Sequence, residues 1–157
     1  MFDAVRLLYL LSFPYFAILL PAMHVIISLL RGVNVGGHNK IKMDALRGLY
    51  ASLKLRNAQT YVQSGNVIFR TNERDLVQLA KRIENAIERH FGFRPNVILR
   101  TSAEMRAVIA KNPFANRRSL DPRKLLVTFL AHDPGKEARE KLLGMKTNPE
   151  ELHLIGR

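Results

Sequence analysis

The order in which hydrophobic periodicity changes between Val25 and Leu99 constrains this chain more than any other feature. Val25-Ile26-Ile27-Ser28-Leu29-Leu30 is a near-continuous apolar run rich in β-branched residues, the pattern of a strand buried in the middle of a sheet. Met43, Leu46, Leu49, Tyr50 and Leu53 then recur at helical spacing, which predicts an amphipathic helix over 43–54. Ala58 to Gln63, carrying Thr60, Tyr61 and Val62, reads as a second strand and Val67-Ile68-Phe69 as a third. Ser64-Gly65-Asn66 between them has the composition of a hairpin turn. Glu73 to Phe91 is the longest helical pattern, with Leu76, Leu79, Ile83, Ala86 and Ile87 along one face, Asn72 as its N-cap and Gly92 as its stop. Val97-Ile98-Leu99, after Pro95, is a fourth strand.

A β-α-β-β-α-β order over about 75 residues is that of the ferredoxin-like plait, an antiparallel sheet with two helices on one face. The predicted fold class is therefore α+β: a ferredoxin-like plait over 23–100, followed over 101–157 by an incomplete second α/β unit. In that second part Ser102 to Lys111 reads as a helix capped by Thr101 or Ser102 and ended by Asn112-Pro113. Leu125 to Leu130 reads as a strand, Pro134 to Leu143 as a helix, and Leu152 to Ile155 as the start of another strand.

The plait fixes an edge. Right-handed crossover makes strands one and two parallel, with strand three returning between them. The carboxyl end of strand one, the amino end of helix one and the turn between strands two and three then lie on one side of the sheet. The loop leaving strand one is Arg31-Gly32-Val33-Asn34-Val35-Gly36-Gly37-His38-Asn39-Lys40, glycine-rich and cationic. Arg31, Asn34, Gly36, Gly37 and Lys40 are thus expected to face Gln63, Ser64, Gly65 and Asn66 at a helix amino terminus, where unpaired amides favour an anion. Lys40 and Lys42 oppose the helix dipole unless a bound anion offsets them. Arg94, at the start of strand four, is expected at the same edge. The alternative is that the loop is a tight structural connection, that 63–66 is only a compatible hairpin turn, and that Arg31 forms a salt bridge at a strand end.

Charge points the same way. Lysine and arginine number 25 against 13 acids, a net charge of +12 and a pI near 10.6, so the default partner is negatively charged. The chain has no cysteine, which excludes disulfides, zinc-thiolate sites and thiol nucleophiles. The five histidines show no i, i+4 pairing, so no metal site is expected. No cofactor is expected either. The glycines at 32, 36 and 37 do not spell G-x-G-x-x-G, and the Gly-Lys-Ser/Thr ending of a phosphate loop is missing. Ser64 has no histidine or lysine at a spacing that implies activation as a nucleophile. Glu73, Glu84 and Glu88, interleaved with Arg74, Lys81, Arg82 and Arg89, read as a salt-bridged helix face. Asn116-Arg117-Arg118 with Arg123-Lys124 is the densest basic cluster, either a phosphate contact or a charged loop. The aromatic stacking platform of RNA-recognition modules is absent: strand one is aliphatic and strand three offers only Phe69, which by alternation faces either way.

Residues 1–22 stand apart. Leu7-Leu8-Tyr9-Leu10-Leu11 and Phe16-Ala17-Ile18-Leu19-Leu20 form an apolar run broken by Pro14, short of the roughly 20 apolar residues of a spanning helix. Three readings stand: an extension foreign to the fold with translation starting at Met23, a signal or anchor, and an added helix. The basic character does not depend on the choice, because 1–22 holds one cation, Arg6, and one anion, Asp3.

Leu30-Arg31-Gly32-Val33-Asn34-Val35-Gly36-Gly37, then Lys40-Ile41-Lys42-Met43, then Tyr61-Val62-Gln63-Ser64-Gly65-Asn66-Val67, resemble the domain of unknown function 1697 family, uncharacterised small bacterial proteins, from about Met23 to the end. The resemblance implies a plait-based fold with a second, related unit and no established activity or substrate. It also implies a start at Met23, with 1–22 a departure, and a continuation past Arg157, so that the chain is truncated there. The functional expectation is a cytoplasmic protein without stable membrane insertion that binds an anionic, phosphate-bearing ligand, nucleic acid or phosphorylated metabolite, at the 31–40/63–66 edge. The alternatives are an enzyme acting on a phosphorylated small molecule, with catalytic residues unknown, and a structural or partner-binding module.

Overall fold

A computed structural model describes residues 23–117, 120–145 and 150–157. Residues 1–22 and Arg118, both weighed above, lie outside the described residues. Four strands, β1 (His24–Leu30), β2 (Arg56–Tyr61), β3 (Asn66–Thr71) and β4 (Val97–Thr101), form one sheet in the order β2-β3-β1-β4. The β1–β3, β1–β4 and β2–β3 pairs are all antiparallel. Strands β1 and β2 therefore run parallel with β3 between them, as the crossover rule requires.

Helices α1 (Met43–Ser52) and α2 (Leu76–Phe91) cover one face of this sheet. The core is what the periodicities predict. Leu46 and Tyr50 of α1 and Leu79, Ile83 and Ile87 of α2 close on Ile26 and Leu30 of β1, Val67 and Phe69 of β3, and Val97 and Leu99 of β4. Phe69 faces the helices, 1% exposed and edge-on to Tyr50 with ring centroids 5.4 Å apart. One polar pair sits inside this core: the hydroxyls of Ser28 and Tyr50 share a 2.8 Å hydrogen bond. Burial pushes the Tyr50 phenol well above its ordinary value, and the bond to Ser28 pulls it only partly back.

Some boundaries differ from expectation. Strand β2 ends at Tyr61, two residues early, where Val62 turns to a left-handed φ of 47° and opens the turn to β3; Asn57, at φ 53°, makes an irregularity within the strand. Helix α2 starts at Leu76, after Asp75 rather than Asn72. The Asp75 carboxylate accepts from the amides of Val77 and Gln78, both at 3.0 Å. Its stop is as predicted, with Gly92 at φ 78°. Helix α3 (Ser102–Ala110) opens with a reciprocal cap between Thr101 and Glu104 and lies against β1 and β4. A 3₁₀ turn (Pro122–Lys124) and helix α4 (Gly135–Leu143) follow. Leu125–Leu130 and Leu152–Ile155, expected as strands, take no ladder partner among the described residues, and a strand is defined by its partner. No helix among the described residues is long and apolar enough to cross a membrane.

Candidate functional site

The loop leaving β1 is held by asparagines in the left-handed backbone conformation that glycine and Asx residues adopt most readily. Asn34 and Asn39 stand at φ 55° and 51°. The Asn34 carboxamide is fully engaged. Its Nδ2 donates to the carbonyl of Ile41 (3.1 Å) and to that of Gln63 (3.0 Å), and its Oδ1 accepts from the Ile41 amide (2.8 Å). Asn39 Nδ2 donates to the Gly32 carbonyl at 3.0 Å, and the Asn34 amide donates to the Asn39 carbonyl at 3.2 Å. Gly36 and Gly37, at φ 59° and 80°, make the exposed tip between the paired residues Val35 and His38.

The Asn34–Gln63 bond joins two segments 29 residues apart, so the loop and the β2–β3 turn do meet at one rim. The meeting is close: a Cβ on buried Gly65 would stand 3.1 Å from both Cβ and Cγ1 of Val33. Ser64 is used within the turn, its hydroxyl donating to the Tyr61 carbonyl (2.8 Å) and accepting from the Asn66 amide (3.4 Å). Gln63 is exposed and Asn66 is half-buried at the start of β3. Helix α1 begins beside this rim with Lys42 at its N-cap position and no side chain capping its first amides. Lys40 and Lys42 are exposed, with no carboxylate within 4 Å among the described residues.

Two cations are not where the sequence placed them. Arg31 is exposed at the end of β1, its amide bonded to the Asn96 carbonyl at 3.0 Å, and it lines a broad groove of about 950 Å³ along β4. Because β3 and β4 flank β1 on opposite sides, Arg31 stands on the far side of β1 from the Gln63 turn. Arg94 is committed to α2. It donates to Glu84 (3.0 Å) and Glu88 (2.9 Å), while the other Glu84 oxygen accepts from the Val97 amide (3.0 Å). The helix acids thus pair with Arg94, and Glu73 pairs with Arg82, in place of a purely intrahelical ladder.

Sequence reading missed Arg100. It lies on the sheet face away from α1 and α2, yet is only 3% exposed. Its guanidinium donates to the carbonyls of Leu99 (2.9 Å) and Leu130 (2.5 Å) and sits 5.9 Å from the Phe129 ring. Burial, with Arg157 nearby, lowers its pKa. It lines a cavity of about 330 Å³ between α3 and the segments 125–130 and 153–157. Burial pushes the neighbouring Glu104 carboxyl up, but bonds from the Thr101 amide and hydroxyl and from Arg157 outweigh it and hold the group below its ordinary value. An arginine in an alternating apolar strand was the available signal. Of the basic cluster, Arg117 is paired with Glu151 and Arg123 with Asp121, so both are charged loops closed by acids.

The geometry can be set beside known proteins. A search of curated proteins finds no match. The solved structure of the conserved bacterial protein SP0830 from Streptococcus pneumoniae is similar, at 31% sequence identity and a TM-score of 0.55. The alignment covers 61% of this chain and 53% of that one, so the match spans about half the length of that protein. The family described as "Protein of unknown function (DUF1697)" matches residues 23–157, which takes in the loop, the turn and the whole sheet. The chain belongs to that family.

Proposed function

We propose that the rim formed by 31–40 and 63–66 binds an anionic, phosphate-bearing ligand, such as a phosphorylated metabolite or a nucleic-acid phosphate. The observation that carries this reading is the Asn34–Gln63 hydrogen bond, which closes the loop onto the β2–β3 turn beside an uncapped helix terminus. The Asn34 side chain is consumed in holding the rim, so it positions the loop. The groups left to meet a ligand are Lys40, the exposed backbone at Gly36 and Gly37, the side chains of Gln63 and Asn66, and Ser64 through its turn. Arg31 flanks the rim from the β4 side. Two lysines next to a helix N-terminus oppose its dipole, and an anion seated there relieves both.

The test is thermal unfolding of the full chain with inorganic phosphate or a nucleoside triphosphate, compared with an Arg31→Ala/Lys40→Ala variant. Ligand at a hundredfold its Kd stabilises by about 2.7 kcal/mol. The variant is expected to melt where the wild type does without ligand and to gain little with it. A wild type that neither ligand stabilises, or a variant stabilised equally, refutes the reading.

A further inference from the structure

We propose that the open face of β2 and β3 is a docking surface for single-stranded nucleic acid, with Arg56 and Arg70 on phosphates and Tyr61 stacking on a base. This surface adjoins the rim at Asn66, rests on different cations, and stands whether or not the rim binds a small anion.

Alternation settles which side chains share this face. Val67, Phe69 and Thr71 of β3 are buried beneath the helices, so Asn66, Ile68 and Arg70 point the other way. The register sets Tyr61 opposite Asn66 and Gln59 opposite Ile68 and, across a bulge at Asn57–Ala58, Arg56 opposite Arg70, so the bulge returns Arg56 to the face that strict alternation would deny it. Toward β4 the same face closes over Arg100, which reaches the Leu130 carbonyl. Over β2 and β3 it stays open: Tyr61 is 70% exposed and Ile68 42%.

Two features of this half are unfavourable for folding alone. Like charges directly opposite across an antiparallel pair destabilise it, and neither Arg56 nor Arg70 has a carboxylate within 4 Å among the described residues. The shortage of acids is written into the sequence. Residues 23–72 hold seven lysines and arginines and a single acid, Asp44, which is tied to Arg47 on α1. Other acids pair with cations on α2 and beyond, for example Glu73, Glu84, Asp133 and Glu151. Of those seven cations only Arg47 has a carboxylate within 4 Å among the described residues, and Arg56 and Arg70 set two of the other six opposite each other on this sheet.

A strip with two unpaired guanidiniums at one end and an exposed tyrosine at the other matches a polymer that alternates phosphates and flat bases. Arg70 and Asn66 are four residues apart, about 13 Å at roughly 3.3 Å per residue, enough for more than one nucleotide contact. The tyrosine end adjoins the 62–65 turn and hence the rim. The partner is single-stranded because flat, exposed aromatic side chains engage bases only when these are unstacked.

The experiment titrates a fluorescent 12-nucleotide single strand, of DNA or RNA, into the full chain at several salt concentrations. The wild type is expected to bind with a steep salt dependence. Arg56→Ala/Arg70→Ala is expected to reduce the slope of log K against log salt by about 1.4, roughly 0.7 for each lost phosphate contact. Tyr61→Ala is expected to weaken binding about tenfold and Tyr61→Phe to restore it. Relieving the like-charge pair should leave the melting temperature unchanged or raised, which excludes unfolding as the cause. An Arg123→Ala/Lys141→Ala control carries the same change in net charge and is expected to bind as the wild type. Loss of affinity equal to the face variant's in that control, an unchanged titration with Arg56→Ala/Arg70→Ala, or an unchanged one with Tyr61→Ala overturns the proposal. The Arg31→Ala/Lys40→Ala variant in the same titration separates the two sites. Normal oligonucleotide binding with lost phosphate stabilisation keeps both, whereas failure of the rim alone leaves this face in place.

Discussion

Replacing Asn34 tests the joint on which the rim is built. Asn34→Gly keeps the left-handed backbone at φ 55° and deletes only the side-chain bonds to the Ile41 amide, the Ile41 carbonyl and the Gln63 carbonyl. The Ile41 residue is 3% exposed, so the groups it loses as partners are poorly rehydrated, at about 1 kcal/mol or more, while the exposed Gln63 carbonyl finds water and costs less. The total is about 2 kcal/mol. Asn34→Ala loses the same bonds and adds about 1 kcal/mol for forcing a Cβ into the left-handed region. For a chain of this size 1 kcal/mol moves the melting temperature by about 2–4 °C. The expected order is therefore wild type, then Gly lower by about 4–8 °C, then Ala lower again. Thermal and urea unfolding followed by circular dichroism measure it. If Asn34→Gly melts within about 1 °C of the wild type, or below Asn34→Ala, the carboxamide does not hold loop and turn together and the rim loses its foundation.

Two further outcomes follow from contacts in and under the sheet. Gly65→Ala places a Cβ 3.1 Å from Val33, itself 2% exposed, at a φ of 76°, so the cost is about 2–4 kcal/mol; Gly37→Ala, with open space around it, costs about 1 kcal/mol for backbone alone. Equal losses in urea midpoints would show that no close approach exists. Tyr50→Phe leaves the buried Ser28 hydroxyl without its partner and costs about 1–2 kcal/mol at neutral pH, most of it recovered by adding Ser28→Ala. Because the folded Tyr50 phenol is raised above its unfolded value near 10, wild-type stability is complete below about pH 10 and falls as pH rises past it. The Tyr50→Phe variant should lose less over that alkaline range. A parallel decline in both proteins would count against the buried phenol.

The plait was legible because its signals are local and redundant. Apolar runs, two amphipathic helices and Gly92 each specify an element without reference to the rest, and handedness then orders them. Boundaries failed where two local signals competed. Asn72 and Asp75 are both good caps, and the choice goes to Asp75 because the Thr71 hydroxyl accepts from the Glu73 amide at 3.1 Å and keeps the chain in a turn before the helix. Val62 sits in a strand-forming context but holds a left-handed φ of 47° at the first position of the turn that carries Gly65 against Val33. For the site, residue types announced a glycine-rich turn, and topology announced that it would meet 63–66. What Asn34 bonds to, and on which side of β1 Arg31 falls, depend on side-chain direction at a strand end, which periodicity does not encode.

The rim and the sheet face divide their polar residues in the same way. The loop's asparagines are spent: Asn34 and Asn39 bond to backbone groups of their own loop and the adjoining turn, while the side chains of Gln63 and Asn66 stay available. Cations turn outward: Lys40, Lys42, Arg56 and Arg70 contact no acid among the described residues. Stability and charge therefore reside in different side chains. A loop that served only as a connection would need the asparagines and glycines but gain nothing from lysines that oppose a helix dipole, nor would the sheet gain from an Arg–Arg pair that repels itself. Substituting the asparagines should lower the melting temperature, whereas substituting the cations should spare it and act only where an anion is present. That separation distinguishes a receptor from a turn.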